Sequence, residues 1–412
     1  PIQTRKKLLI ASAICSAATQ LLASGFMVIE QGASNVGTAL AGATSNANRD
    51  ASCAFWNPSA AFFVESDTKI DVGMNFIMPV FKFNGSATHP GGSPVSGNDG
   101  GNAGTLNIVP NFYATHKLSE DFIFTFSVTA PAGLTTDYDS NYVGRAHGIR
   151  SDLATIDINP SIAYKVNDWF FVSVGASAQY INAELTQSGY GNTFSRVDGH
   201  SWSGGFNLGF TVKYCETGRF SVGYRSQVNQ SISGGLTVPS IPALSGDVDC
   251  ELTIPNVVNV GVYQRLWGDL EDFAVMLDFA WTQWSSFDSL DIKYTNGAMA
   301  SHTVENWEDT CRVSFGVHYY LDDDITLRLG VAYDESPIVS TAYRTPRIPD
   351  SDRVWLSCGL GYKFGNFNID VAYAFIFFPS VGTTYSDPTK GDLSGEFYGH
   401  SHIVSAQIGY SF

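Results

Sequence analysis

The chain has 412 residues, of which 15% are charged and 13% aromatic, with 40 glycines and a formal net charge of −16. So much apolar and aromatic material excludes a disordered chain, and the acidic balance excludes a face for nucleic acid. The middling hydropathy excludes a bundle of membrane helices, in which apolar runs of about 18 residues recur; it suits a membrane barrel, whose strands are half apolar and half polar.

In chain order, residues 1–24 read as a secretory signal peptide. Arg5, Lys6 and Lys7 precede an apolar stretch over 8–22, and Ala23-Ser24-Gly25 offers small residues for cleavage. Residues 25–67 are rich in Gly, Ala, Ser and Asn and lack strand alternation, so they predict short helices and turns. Within them Asn57-Pro58-Ser59-Ala60 fixes a turn: Pro58 locks its own φ and biases Asn57 away from helix.

From 68 to 412 the period becomes two. Ile70, Val72, Met74 and Phe76 alternate with polar or small residues, as do Phe206, Leu208 and Phe210, then Val313, Phe315 and Val317, then Leu327, Leu329 and Val331. Alternation places one apolar face along each strand, and segments of about 10 to 14 residues suit a tilted membrane crossing. About fourteen strands are predicted, near 68–83, 105–117, 121–131, 155–165, 169–185, 201–214, 218–232, 250–265, 272–285, 308–320, 325–336, 352–363, 367–378 and 400–412. Short links such as Leu118-Ser119-Glu120 alternate with long ones such as 84–104, 132–154 and 379–399, the pattern of periplasmic turns and outer loops. The last strand ends in Phe412. The fold class is therefore all-β, a transmembrane antiparallel barrel over 68–412 in the outer membrane.

By parity with the outward residues, Glu308, Arg312, Arg328, Asp334 and Arg353 fall on the inner wall. Opposite charges there brace the wall or hold what fills the lumen, and an Arg fork also suits a ligand carboxylate. Beyond Cys15 an odd five cysteines remain without close spacing, so neither a zinc site nor a disulfide framework is predicted. No catalytic residue, metal or cofactor is expected. A lipid-acting outer-membrane enzyme would need a nucleophile with a His partner, yet the eight His are scattered, with His400-Ser401-His402 outside any Ser motif. A general porin would need an open lumen.

Several stretches, in order, resemble the FadL/TodX family of outer-membrane transporters of hydrophobic compounds. They are Ser24-Gly25-Phe26, Glu30-Gln31-Gly32, Asn57-Pro58-Ser59-Ala60, Ala130-Pro131-Ala132-Gly133, Trp281-Thr282-Gln283-Trp284 and Asp334-Glu335-Ser336-Pro337. The most specific is Arg347-Ile348-Pro349-Asp350-Ser351-Asp352-Arg353-Val354-Trp355-Leu356-Ser357. The resemblance implies a fourteen-stranded barrel plugged by a small N-terminal hatch, here 25–67, with Ser59 in place of the family's Ala. It implies passive diffusion: capture near the outer loops, a buried pocket, and sideways exit where one strand kinks beside the hatch. Pro131-Ala132-Gly133 and the Gly-rich strands are candidates for that kink. Phe26, with the hatch aromatics Phe55 and Trp56, is expected along the ligand path. The implied partners are a fatty acid, hydrocarbon or other lipid as substrate, and outer-membrane lipid and lipopolysaccharide around the barrel. The segments 180–187 and 307–312, where the fatty-acid member is basic, carry Asn182, Glu184, Gln187 and Glu308 here. An apolar substrate with no obligatory carboxylate is the resulting expectation.

Overall fold

The computed structural model describes residues 25–412, so the expected signal peptide lies outside the described residues. Among these residues nineteen strands form one sheet. They are β1 (Thr68–Thr88), β2 (Asn107–Lys117), β3 (Phe122–Thr129), β4 (Gly133–Asp137), β5 (Arg150–Asn167), β6 (Phe170–Gly189), β7 (Thr193–Cys215), β8 (Gly218–Arg225), β9 (Val228–Thr237), β10 (Gly246–Ile254), β11 (Val257–Arg265), β12 (Phe273–Thr282), β13 (Ser289–Tyr294), β14 (Met299–Val304), β15 (Thr310–Tyr320), β16 (Ile325–Asp334), β17 (Arg353–Phe364), β18 (Phe367–Asp387) and β19 (Gly391–Ser411). Neighbours are antiparallel, and β19 returns to pair with β1 from Lys69 opposite Ser411 to Thr88 opposite Asp392. That closure leaves no open edge, the condition for a sheet that meets lipid. Five crossings are each broken into two segments, β3/β4, β8/β9, β10/β11, β12/β13 and β14/β15, so the barrel has fourteen crossings.

The outward rows show where the membrane ends. On β16 Leu327, Leu329 and Val331 are exposed, and on β12 Leu277 and Phe279 are exposed. On β10, beyond the Pro255–Asn256 break, the exposed residues are Asp247, Asp249 and Glu251. Four of the breaks therefore sit near the outer rim, and the wall above them stands in water. This accounts for a difference from the sequence. The links 84–104 and 379–399 were expected to be loops, but β1 continues to Thr88 and β18 and β19 form a hairpin over almost all of the second link. Above the rim the outward face turns polar, as at Asn84, Ser86, Asp392 and Ser394, and apolar residues such as Phe83, Leu393 and Phe397 face inward, so the alternation inverts while the hydrogen-bond ladder continues.

The N-terminal segment fills the lumen with α1 (Ala33–Val36), α2 (Cys53–Trp56) and a 3₁₀ turn at Pro58–Phe63. It is pressed against the wall backbone to backbone. A Cβ added at Gly330 on β16 would fall on the carbonyl of Thr38, and one at Gly37 would meet Gly359 of β17. The segment's buried backbone groups cannot reach water, so wall side chains satisfy them. Gly42 and Thr44 N–H donate to Asp278 at 2.6 and 3.1 Å. Ala51 N–H donates to Asp71 at 2.6 Å, and the Arg219 guanidinium donates to the Asn46 carbonyl at 2.6 Å. Asn57 does what its place before Pro58 requires: its side chain accepts from Ser59 N at 3.2 Å and donates to Thr44 O at 3.1 Å.

Candidate ligand path

The rim breaks turn wide aromatic rings inward. Trp284 and Phe287 come from the link between β12 and β13, and Trp307 from the link between β14 and β15. Together they box Phe26, with ring centroids 4.7, 5.6 and 5.7 Å from it respectively, mostly edge to face. Gly25 positions Phe26. Its φ is 61°, and an added Cβ would lie 2.6 Å from Trp284 and 2.8 Å from Trp307. Its N–H donates to Asp350 Oδ2 at 2.8 Å, and its carbonyl accepts from Arg353 Nη2 at 3.0 Å.

Outside this box lies an apolar cavity of about 80 Å³, walled by residues such as Leu153, Ala183, Ile232, Leu252 and Phe287, and bounded at its base by Phe26. It shares Leu185, Val197, Leu290, Ile292 and Arg347 with a roomier outer vestibule of about 410 Å³. Four charged side chains are among the residues that line the inner cavity, Asp152, Asp198, Glu305 and Arg347. Arg347 donates to the Arg150 carbonyl at 3.3 Å, to Ser151 Oγ at 3.2 Å and to Gln187 Oε1 at 2.9 Å, all neutral acceptors. Burial lowers its pKa to about 10, which leaves it cationic at neutral pH. Glu305 accepts from Trp307 Nε1 at 3.1 Å. Burial pushes its pKa up to about 8, against that hydrogen bond and the pull of Arg347 and Lys390.

On the other side of Phe26 the wall is open. β2 pairs with β3 from Phe112 opposite Val128 to Lys117 opposite Ile123, whereas 107–111 of β2 pair with β1 alone. The missing partner strand has turned inward at Pro131. There Val28 N–H donates to Pro131 O and Gly133 N–H to Phe26 O, both at 3.0 Å, so the crossing pairs with the N-terminal segment instead of with β2. Pro131 has no N–H to give β2, and Ala132 N–H is taken by Thr155 Oγ1 at 3.0 Å. The resulting gap holds a cavity of about 200 Å³ lined by Met27, Ile108, Ala130, Ala132 and Leu134; it shares Leu134 and Leu153 with the inner cavity. Ile108 faces outward and is exposed at lipid height.

Of the residues singled out in the sequence, Phe26 lines the inner cavity. Phe55 and Trp56 do not: they pack in the core between the N-terminal segment and the wall with Leu40 and Tyr113, beneath Arg225 (4.5 Å over Phe55) and Arg312 (5.9 Å over Trp56). Arg312 and Arg353 lie within electrostatic reach of Asp334 and Glu30, and Arg328 pairs with Asp370 at 2.6 Å. Glu308 is a correction. It is exposed, because the break between β14 and β15 interrupts the parity that assigned it to the lumen. Ser59 and Ala60 are buried in the turn that Asn57 and Pro58 begin. Composition and parity missed Trp284, Phe287, Glu305 and Arg347. Their one signal was motif membership: Arg347 opens the most specific stretch and Trp284 closes another. Arg347 brings a cation to the cavity from outside the two segments on which the expectation of an apolar substrate rested.

A closed barrel filled by its own N-terminal segment, with an apolar cavity above the membrane and a side gap within it, is an outer-membrane transporter of hydrophobic compounds, not an enzyme. The profile described as outer membrane protein transport protein (OMPP1/FadL/TodX) matches residues 14–412, and the chain belongs to that family. It is 27% identical over 459 residues to the long-chain fatty acid transport protein of Escherichia coli K12, covering 99% of this chain and 98% of that one. It is 26% identical to outer membrane protein P1 of Haemophilus influenzae, covering 98% of each. A crystal structure of a Pseudomonas aeruginosa FadL homologue superposes with a TM-score of 0.88 at 25% identity, covering 94% of this chain and all of that one. The toluene transporter TodX of Pseudomonas putida shares the fold, with a TM-score of 0.69 at 14% identity over 95% of this chain and 99% of its own.

Proposed function

We propose that this transporter carries amphipathic acids of the long-chain fatty acid class, taking the polar head at Arg347 and the tail along the apolar cavity. The observation that carries this reading is one cationic fork in a largely apolar chamber, hydrogen-bonded only to neutral acceptors, whereas the chamber's Asp152 and Asp198 are ion-paired with Arg150 and Arg196. A carboxylate there gains a charge-assisted partner, and each tail CH₂ removed from water contributes about 0.8 kcal/mol. The name of the Escherichia coli relative agrees with it. From the cavity the ligand passes Phe26 and leaves through the gap beside Pro131 into the outer leaflet, driven by its own concentration gradient. The aromatic box around Phe26 favours a second reading, a neutral aromatic hydrocarbon as in the toluene transporter that shares the fold. Competition between a fatty acid and its methyl ester separates the two. The acid is expected to bind at least tenfold tighter at pH 7, about 1.4 kcal/mol, and Arg347→Gln to remove that preference. Equal affinity for acid and ester would favour the neutral substrate.

We further propose that lipopolysaccharide contacts the outer rim of the wall through exposed polar residues there. Lys82 is exposed beside Tyr398, and on the same rim His400 and His402 stand opposite Val80 and Met78. Lys82→Glu is expected to lower co-purifying lipopolysaccharide; an unchanged amount would count against this contact.

A further inference from the structure

We propose that Glu305 is a second head-group residue of the cavity, acting as a hydrogen-bond donor to the bound anion in its protonated form, so that affinity for acids is set by its protonation. This rests on the reading that Arg347 receives the head group, and it adds a proton to that reading.

The geometry is unusual for two opposite charges. Glu305 and Arg347 line one apolar cavity, and Glu305 is 2% exposed, yet the two form no direct ion pair. Arg347 is held back by Gln187, Ser151 and the Arg150 carbonyl, and Glu305 is held by Trp307. A buried ionised carboxylate left without a contacting cation is costly, whereas a neutral carboxyl offers an O–H to whatever enters. Trp307 can only donate, so it occupies one carboxyl oxygen and leaves the proton to the other.

The charged surroundings fix the sign. Arg347 comes from the link between β16 and β17. Lys390 and Tyr385 come from the β18–β19 hairpin, and both act on Glu305. Asp152 of β5 and Asp198 of β7 also line the cavity and belong to a separate ion-pair network, in which Arg150 and Arg196 are shared with Asp137 and Glu184. With Glu305 neutral the Glu305–Arg347 pair carries one net positive charge and accepts one anion. With Glu305 ionised the pair is neutral, and the carboxylate repels the ligand. Burial places that change at about pH 8. Affinity for an anionic ligand is therefore full below that pH and falls as pH rises through it.

The test uses the full-length protein in detergent with dodecyl sulfonate as probe, because the sulfonate stays ionised throughout and only the protein titrates. Dodecanol is the neutral control. Wild-type affinity for the sulfonate is expected to weaken at least tenfold between pH 7 and pH 9, as loss of the Glu305 proton near 8 requires, while dodecanol binding stays flat. Calorimetry in buffers of different ionisation enthalpy is expected to show proton uptake on sulfonate binding near pH 8. In Glu305→Gln both the slope and the proton uptake are expected to vanish. A sulfonate preference over dodecanol with no pH slope and no proton uptake in the wild type overturns the proposal and leaves the Arg347 reading standing. No sulfonate preference at any pH overturns both. Burial brings the Lys390 pKa down to about 8 as well, so Lys390→Met is the second variant: it is expected to keep both the slope and the proton uptake, and their loss there would overturn the proposal even if Glu305→Gln fails to fold.

Discussion

At the scale of single residues, the path is held by a few buried polar contacts. Asp350 receives the Gly25 N–H at 2.8 Å, Arg353 at 3.0 Å and Ser336 Oγ at 3.3 Å, so one carboxylate pins the strand end that presents Phe26. Hydrogen bonds to a charged group contribute about 1.5–3 kcal/mol each, and removing this acceptor leaves Arg353 and the Gly25 N–H short of a partner. Asp350→Ala is expected to free the 25–28 stretch. Its amide-exchange protection should collapse, while the barrel keeps its resistance to unfolding in cold detergent. Unchanged protection at Phe26 and Met27 would assign the pinning to the aromatic box alone. His147, in the outer link between β4 and β5, makes a different prediction. Burial, with a smaller push from Lys390, lowers its pKa to about 4 from the usual 6.5 of a histidine. The folded link thus holds a neutral ring that the unfolded chain would protonate. The resulting stability is complete above about pH 6.5 and is lost as pH falls through 4, on the order of 3 kcal/mol when fully expressed. Protection factors over 138–149, corrected for intrinsic exchange, should decline from pH 7 to pH 4.5 in the wild type and stay level in His147→Leu.

At the scale of elements, the contact between the N-terminal segment and the wall is unforgiving. Gly330 faces the lumen where Thr38 lies against it backbone to backbone. No side chain fits there, and the wall cannot retreat without breaking ladder bonds to β15 and β17. Gly330→Leu is expected to push the segment off its seat and raise ion conductance in planar bilayers several-fold. Wild-type conductance in a variant that still runs as a folded barrel would show that the segment can shift to make room. The strands, their number and the inward row of charges were legible because lipid imposes a strict period of two. Legibility failed where that constraint ends. Above the rim β18 and β19 run on as a hairpin whose sequence reads as loop. At the breaks parity slips, which moved Glu308 outward and kept Trp284 and Trp307 from being read as lumen residues. Phe55 and Trp56 lie away from the cavities for another reason. An aromatic pair in a small-residue segment looks like a ligand contact, but here it is the core on which the segment packs. The kink itself was one candidate among several, because Pro131 shows that a donor is missing but not which way the strand turns.

At the scale of the whole molecule, wall and filling are separable. Every crossing finds its ladder partners in other crossings, and β19 closes onto β1, so the hydrogen-bond ring does not pass through the N-terminal segment. The exception is local: 26–28 pair with the stretch around Pro131. The lipid-facing rows, which hold the barrel in the membrane, make no contact with the filling. Wall charges that now serve it, Asp71, Asp278 and Arg219, are buried because the segment covers them. Without it they would face water, where an ionised group carries no desolvation penalty. Deleting 26–64 is therefore expected to yield a barrel that still migrates as folded before boiling and as unfolded after it. In planar bilayers that barrel should conduct a large steady current where the intact protein passes little, and hydrophobic uptake should lose its ligand preference, because Phe26 and the floor of the cavity are gone. A deletion variant that folds yet stays closed to ions would mean that the outer links seal the lumen unaided. The passage of apolar solutes would then depend on the wall alone.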